Sequence, residues 1–161
     1  AYAQDNEVSW IDWSRADAGL ARFVARLAAL RRSLPVLRQR RFLHAVQRPA
    51  DGCPDVIWRR ADGTVPQSEE WHDPAFRCLC VEMRMAAESG DLSTDAVLVV
   101  LNTGPATVLH LPDTAPGWQL LLDTTRPELD PVDGPTAFTE APAQSVLLFR
   151  SVAAVPKGEM P

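Results

Sequence analysis

The sequence predicts a mainly β protein, an antiparallel β-sandwich preceded by one amphipathic α-helix. Two observations carry this. Leu20, Phe23, Val24, Leu27 and Leu30 recur at the i, i+3, i+4 spacing of a single apolar stripe. After Pro35 that period stops, and short apolar runs alternate with Pro, Gly, Asp and Asn turn signals to the end of the chain. The chain has 161 residues, 46% apolar and 23% charged. That length is enough for a real core, since chains of about 150 residues bury roughly 68–70% of their unfolded surface.

The spacing predicts the helix over roughly 15–33. Ser14 followed by Asp17 gives a capping-box start, although Glu or Gln is the usual partner. Arg31 and Arg32 fall in the last turn, where positive charge suits the helix dipole. Pro35 cannot continue the helix and biases Leu34 toward an extended conformation.

Arg41–Ala45 is a weak strand candidate and Val56–Arg60 a better one, set between a Pro/Gly loop and Asp62-Gly63. From Arg77 to Ala86 the chain alternates. Leu79, Val81, Met83 and Met85 share one face, and Cys78, Cys80, Glu82 and Arg84 the other, as in a half-buried strand. Ala96–Leu101 is continuously apolar and suits a central strand covered on both faces. Asn102-Thr103-Gly104-Pro105 turns the chain, and Thr107–Leu111 returns as a hairpin partner. Trp118–Asp123 and Val146–Phe149 are the remaining strands. The stretch Thr124–Ala143, rich in Pro, Asp and Gly, reads as mostly loop, and the tail after Ser151 as frayed. The strands can close their own core; the helix cannot bury its stripe alone.

The net charge of −5 and pI near 5.1 argue against a nucleic-acid partner, which would require a basic surface. No run of about 18 apolar residues exists to span a membrane as a helix. Three cysteines are an odd number. Cys78 and Cys80, two apart on a strand, would place their Cα atoms close to about 7 Å apart, at the limit for a disulfide. A reduced cytoplasmic protein with free thiols is the simple expectation, with Cys53 exposed in its loop.

No metal site or cofactor motif is expected. His44, His72 and His110 are far apart, and the cysteines lack C-x-x-C spacing. His72-Asp73 is not a catalytic dyad, because neighbours on an extended segment point apart; its setting reads as a polar turn. Asp5, Glu7 and Asp12 could line a sugar subsite, but carboxylates at a helix approach more often cap it. Trp10 and Trp13 are more often wedges into a core than sugar platforms. Trp58, Trp71 and Trp118 lie on separate segments and are glucan-stacking candidates weighed against ordinary packing.

The opening segment has neither initiator Met nor a signal-peptide pattern, and it reads as a chain joined in mid-domain. Gln4-Asp5-Asn6-Glu7-Val8-Ser9-Trp10-Ile11-Asp12-Trp13 resembles the end of the catalytic barrel in bacterial glycogen debranching enzymes of the isoamylase type, with Ala3 where a Cys is common. Phe23–Arg32, Pro35–Arg38 and Arg41-Phe42-Leu43-His44 resemble the final barrel helix and its exit. Asp55–Trp58, Trp71–Pro74, Leu101-Asn102, Trp118–Thr124 and Gln144–Leu148 follow in the family's order. Each piece alone is weak; their order and spacing are specific.

The resemblance implies the α-amylase clan. Residues 1–38 would be the last loop and helix of a truncated (β/α)8 barrel, and 39–161 the C-terminal β-sandwich. It implies a parent that hydrolyses α-1,6 branch linkages of glycogen or limit dextrin with retention, acting in glycogen catabolism. The family's catalytic Asp, Glu and second Asp lie on earlier barrel strands, so no catalytic residue is assigned here. Gln4, Asp5 and Asn6 match a loop at the active-site face and are substrate-adjacent candidates. The alternative is an autonomous glucan-binding or protein-interaction module, which calls for an exposed, coplanar tryptophan pair. An immunoglobulin-like adhesion domain fits less well, since such domains rarely open with an amphipathic helix. Whatever the parent, the stripe Leu20, Phe23, Val24, Leu27 and Leu30 needs cover, through self-association or packing on the sandwich.

Overall fold

A computed structural model describes residues 3–40, 42–47, 52, 54–85, 95–113, 117–128, 131 and 138–152. The chain divides into two units, Ala1–Ser33 and Leu34–Pro161.

In the first unit two aspartates set the helical starts. Asp12 caps a 3-10 turn, η1 (Trp13–Arg15), by accepting from the Ser14 amide at 3.0 Å and its hydroxyl at 2.5 Å. Asp17 accepts from the amides of Gly19 at 2.8 Å and Leu20 at 3.0 Å, which starts α1 (Ala18–Ser33). The helix therefore begins later than the apolar period implied. Its cap is Asp17 itself, because Ser14 is already held by Asp12. No residue of α1 is buried, and Leu20, Val24 and Leu27 are exposed.

The second unit opens with another 3-10 turn, η2 (Pro35–Arg38), whose Val36 is buried, as is Leu34 before it. The strands follow: β1 (Val56–Arg60), β2 (Cys78–Met85), β3 (Asp95–Asn102), β4 (Thr107–His110), β5 (Trp118–Asp123), β6 (Phe138–Ala141) and β7 (Ser145–Ser151). A third 3-10 turn, η3 (Ser68–His72), lies between β1 and β2. All pairings among these strands are antiparallel. One sheet has the order β1-β2-β3-β7-β5, and β4 and β6 form a second. The central position of β3 follows from its unbroken apolar run. Among the described residues the fold is thus mainly β with a single α-helix, as the sequence predicts. η2 packs on β2 and β3.

Four local expectations need correction. Residues 42–46 form no strand. The Asp55 carboxylate takes the backbone amides of His44 (3.1 Å) and Ala45 (3.0 Å), and Ala45 has φ 56°, which breaks an extended run. β4 pairs with β6 and not with β3, whose neighbours are β2 and β7. Asn102 explains the departure: its Nδ2 donates to the carbonyls of Pro105 and Pro142, both at 2.8 Å, and its Oδ1 accepts from Gly104 N at 3.0 Å. These bonds turn the chain out of the first sheet. β6 lies inside the stretch expected as loop, and only its partner β4 identifies it. The expected turn before β2 is a 3-10 helix, η3. Cys53 and the tail from residue 153 lie outside the described residues.

One apolar cluster lies on one face of the larger sheet, while Val97 and Leu148 are buried on the other. Cys80, Ala96, Leu98, Val100, Trp118, Leu147 and Phe149 make up the cluster with Leu109 of β4 and Ala141 of β6. Both sheets therefore contribute to one apolar cluster. In β2 the deeper face carries Cys80 and Glu82, while Leu79, Val81, Met83 and Met85 are half-buried. A carboxylate at 0% exposure is tolerable because Arg59 Nε donates to it at 2.7 Å and Arg84 Nε at 2.5 Å.

Candidate functional site

A group of three aromatic side chains in contact is assembled on β1, the edge strand of the larger sheet. Gln67 and Glu70 form a reciprocal capping box that starts η3, with Gln67 N donating to Glu70 Oε2 at 2.8 Å. The other Glu70 oxygen pairs with the Arg60 guanidinium of β1. That ion pair pins η3 to the edge strand and brings Trp71 against Trp58. Their ring centroids are 5.9 Å apart with planes at 84°. Phe76 also meets Trp71, with ring centroids 5.8 Å apart at 76°. Asp73 places Phe76 by accepting from the Ala75 amide at 2.8 Å, while its carbonyl takes Phe76 N at 3.0 Å.

Trp58 is 40% exposed and Trp71 46%. Neither indole N–H has a hydrogen-bond partner among the described residues. The two rings are perpendicular, so they do not form the coplanar pair that the alternative module called for. Trp118 is apart from them at 1% exposure, and its N–H donates to the Pro112 carbonyl at 2.7 Å. It is a core residue with no open face for a sugar. Phe76 and the Arg60–Glu70 link went unnoticed in the sequence, although Gln67-x-x-Glu70 is capping-box spacing just before Trp71.

Gln4, Asp5 and Asn6 lie together in a turn that spends their polar groups locally. Asn6 Oδ1 accepts from Val8 N at 3.1 Å, and its Nδ2 donates to Gln4 Oε1 at 3.2 Å. The Ser9 hydroxyl donates to the Gln4 carbonyl at 2.6 Å. Asp5 Oδ1 takes the Trp10 indole N–H at 2.7 Å. Trp10 and Trp13 are exposed, not wedged into a core.

The buried carboxylates hold the scaffold. Asp55 grips the chain at His44 and Ala45, and Glu82 binds Arg59 and Arg84. Burial alone would raise the Asp123 pKa, but hydrogen bonds from the Thr125 hydroxyl (2.7 Å), its amide (2.9 Å) and Arg126 Nε (2.9 Å) hold it below the usual carboxylate value. The exposed Asp62 is lowered too, chiefly by the Thr64 hydroxyl. Cys78 and Cys80 are both free thiols. The hydrogen bond between them lowers Cys78, and the same bond together with burial pushes Cys80 up. Cys80 is therefore an inert core thiol. Among the described residues, no group of three or more His, Cys, Asp or Glu is placed to hold a metal ion. No helix among them is long and apolar enough to cross a membrane.

Among the described residues, fold and site define a mainly β chain with one α-helix, whose buried charges brace the sheets and which exposes a Trp58–Trp71 pair. Its curated homologues are glycogen debranching enzymes. It is 44% identical over 72 residues to the glycogen debranching enzyme of Cronobacter sakazakii, covering 45% of this chain and 10% of that protein. It is 34% identical over 113 residues to that of Escherichia fergusonii, covering 70% of this chain and 14% of the relative. The glycogen operon protein GlgX homolog of Mycobacterium tuberculosis is 30% identical over an alignment of 163 positions, gaps included, that covers 92% of this chain and 23% of that protein. The chain thus spans about a tenth to a quarter of these relatives' length. No protein-family model matches the chain.

Proposed function

We propose that this chain is the C-terminal part of a glycogen debranching enzyme of the α-amylase clan, acting in the cytoplasm as structural support for the catalytic part. The observation that carries the proposal is the asymmetry of the match: 92% of this chain aligns with only 23% of a GlgX homolog. On this reading residues 1–38 are the last loop and helix of a (β/α)8 barrel and 39–161 its β-sandwich. The full-length parent hydrolyses α-1,6 linkages of glycogen or limit dextrin with retention, and its acid and nucleophile lie in the barrel.

Two structural features support the division of labour. The buried carboxylates Asp55, Glu82 and Asp123 are each engaged by donors of this chain, so none is free to protonate a leaving group. Among the described residues, the first unit contributes none to the buried core, and Val8, Trp10, Ile11, Trp13, Leu20 and Val24 are exposed, which suits an element whose cover belongs to the barrel.

The test is an assay of the purified chain on glycogen limit dextrin. No linear maltooligosaccharide should be released by this chain, whereas the same residues joined to an upstream barrel should release it. Hydrolysis by the chain alone would overturn the proposal.

A further inference from the structure

We propose that the corner made by Trp58, Trp71 and Phe76 is a non-catalytic binding site for an α-1,4-linked glucan chain. The choice of ligand class rests on the glucan substrate of the proposed function; the site itself rests on geometry. Trp58 and Trp71 meet at 84°, each with a large open surface, and each keeps an unspent indole N–H. A pyranose ring offers what such a corner lacks: an apolar C–H face for the indole and hydroxyl oxygens that accept its N–H.

The rim decides between a sugar and a protein partner. The Arg60–Glu70 ion pair and Asp62 stand beside the aromatics, with the Arg60, Glu70 and Asp62 side chains 42%, 30% and 49% exposed. An apolar protein surface seated here would bury two indole donors and part of that pair without replacement hydrogen bonds. A glucan replaces them with hydroxyls. The angle decides between glucans. The coplanar pair expected of a glucan-binding module suits β-1,4 linkages, which keep successive rings in a flat ribbon; the perpendicular pair here excludes such a ribbon. α-1,4 linkages turn each ring relative to the last, so neighbouring rings can meet two walls set at an angle.

The experiment is a titration of the full chain with maltoheptaose, followed through the indole N–H signals in a nitrogen–proton correlation spectrum. Trp58→Phe and Trp71→Phe assign the two signals. The Trp58 and Trp71 signals should move together along one binding curve, while Trp118 stays fixed and reports an intact core. Cellohexaose at the same concentration should move neither. Trp71→Ala should weaken maltoheptaose binding by about tenfold, the loss of roughly one stacked contact. If Trp71→Ala does not fold, Trp71→Leu serves, and the titration of the unaltered chain stands by itself. Fixed Trp58 and Trp71 signals at excess maltoheptaose would overturn the site. So would an equal response to cellohexaose, undiminished binding by the substituted chain, or shifts that follow protein concentration and so report a copy-to-copy contact. The outcome is separate from the debranching assay: maltoheptaose has no branch, so the site can fail while the parent's hydrolysis stands, and the reverse.

Discussion

At the residue scale, the buried polar groups explain where the chain turns and what keeps it there. Asn102 spends its amide on the carbonyls of Pro105 and Pro142 and on the Gly104 amide, and so switches the chain between sheets. Asp123 clamps the turn after β5 through Thr125 and Arg126. Its effect on stability depends on pH with a definite sign. Its pKa is lower folded than unfolded, so its contribution is complete above the unfolded value, near pH 4, and is lost as pH falls through the folded value. Asp123→Asn should therefore unfold at lower urea concentration than the unaltered chain at pH 7, and the gap should narrow steadily below about pH 4. Urea midpoints across that range check this; a gap that does not change with pH would exclude the role. The resemblance picked out Asn102 and Asp123 in the sequence, but not what they bind, because Pro142 lies 40 positions from Asn102.

At the element scale, periodicity was reliable where an element carries a long enough pattern of its own and weak where it does not. α1 followed from its stripe, and only its first turn moved, because Asp17 caps it while Ser14 is held by Asp12. β2 and β3 followed from alternation and from an unbroken apolar run. β6 did not, since four residues among Pro, Gly and Asp carry no period of their own. Residues 42–46 erred the other way: a side chain replaces the strand ladder there. The exposed stripe of α1 gives this scale its prediction. The pure chain should self-associate as concentration rises, and Leu20→Ser with Val24→Ser and Leu27→Ser should return it to a single-chain mass in sedimentation velocity. A single-chain mass for the unaltered protein at every concentration would show that the stripe seeks no copy of itself.

At the scale of the whole molecule, the two sheets share one apolar cluster, with Leu109 and Ala141 of the smaller sheet beside Leu98 and Phe149 of the larger. Leu98→Ala should cost about 2–5 kcal/mol, and amide exchange should rise in β4 and β6 as well as in β3. Exchange confined to the larger sheet would show the sheets to be independent. The sequence by itself determined the helix stripe, the central strand, the mainly β class and the likeness to glycogen debranching enzymes, because each is written in local period or in residue order. Only the tertiary structure decided that β4 belongs with β6, that the Glu82 face of β2 is the deeper one, and that Trp58 and Trp71 form an open corner while Trp118 is sealed in the core. The physical reason is the same in each case: strand partners, ion pairs and ring contacts join residues distant along the chain, and local sequence carries no record of which surface will close over them.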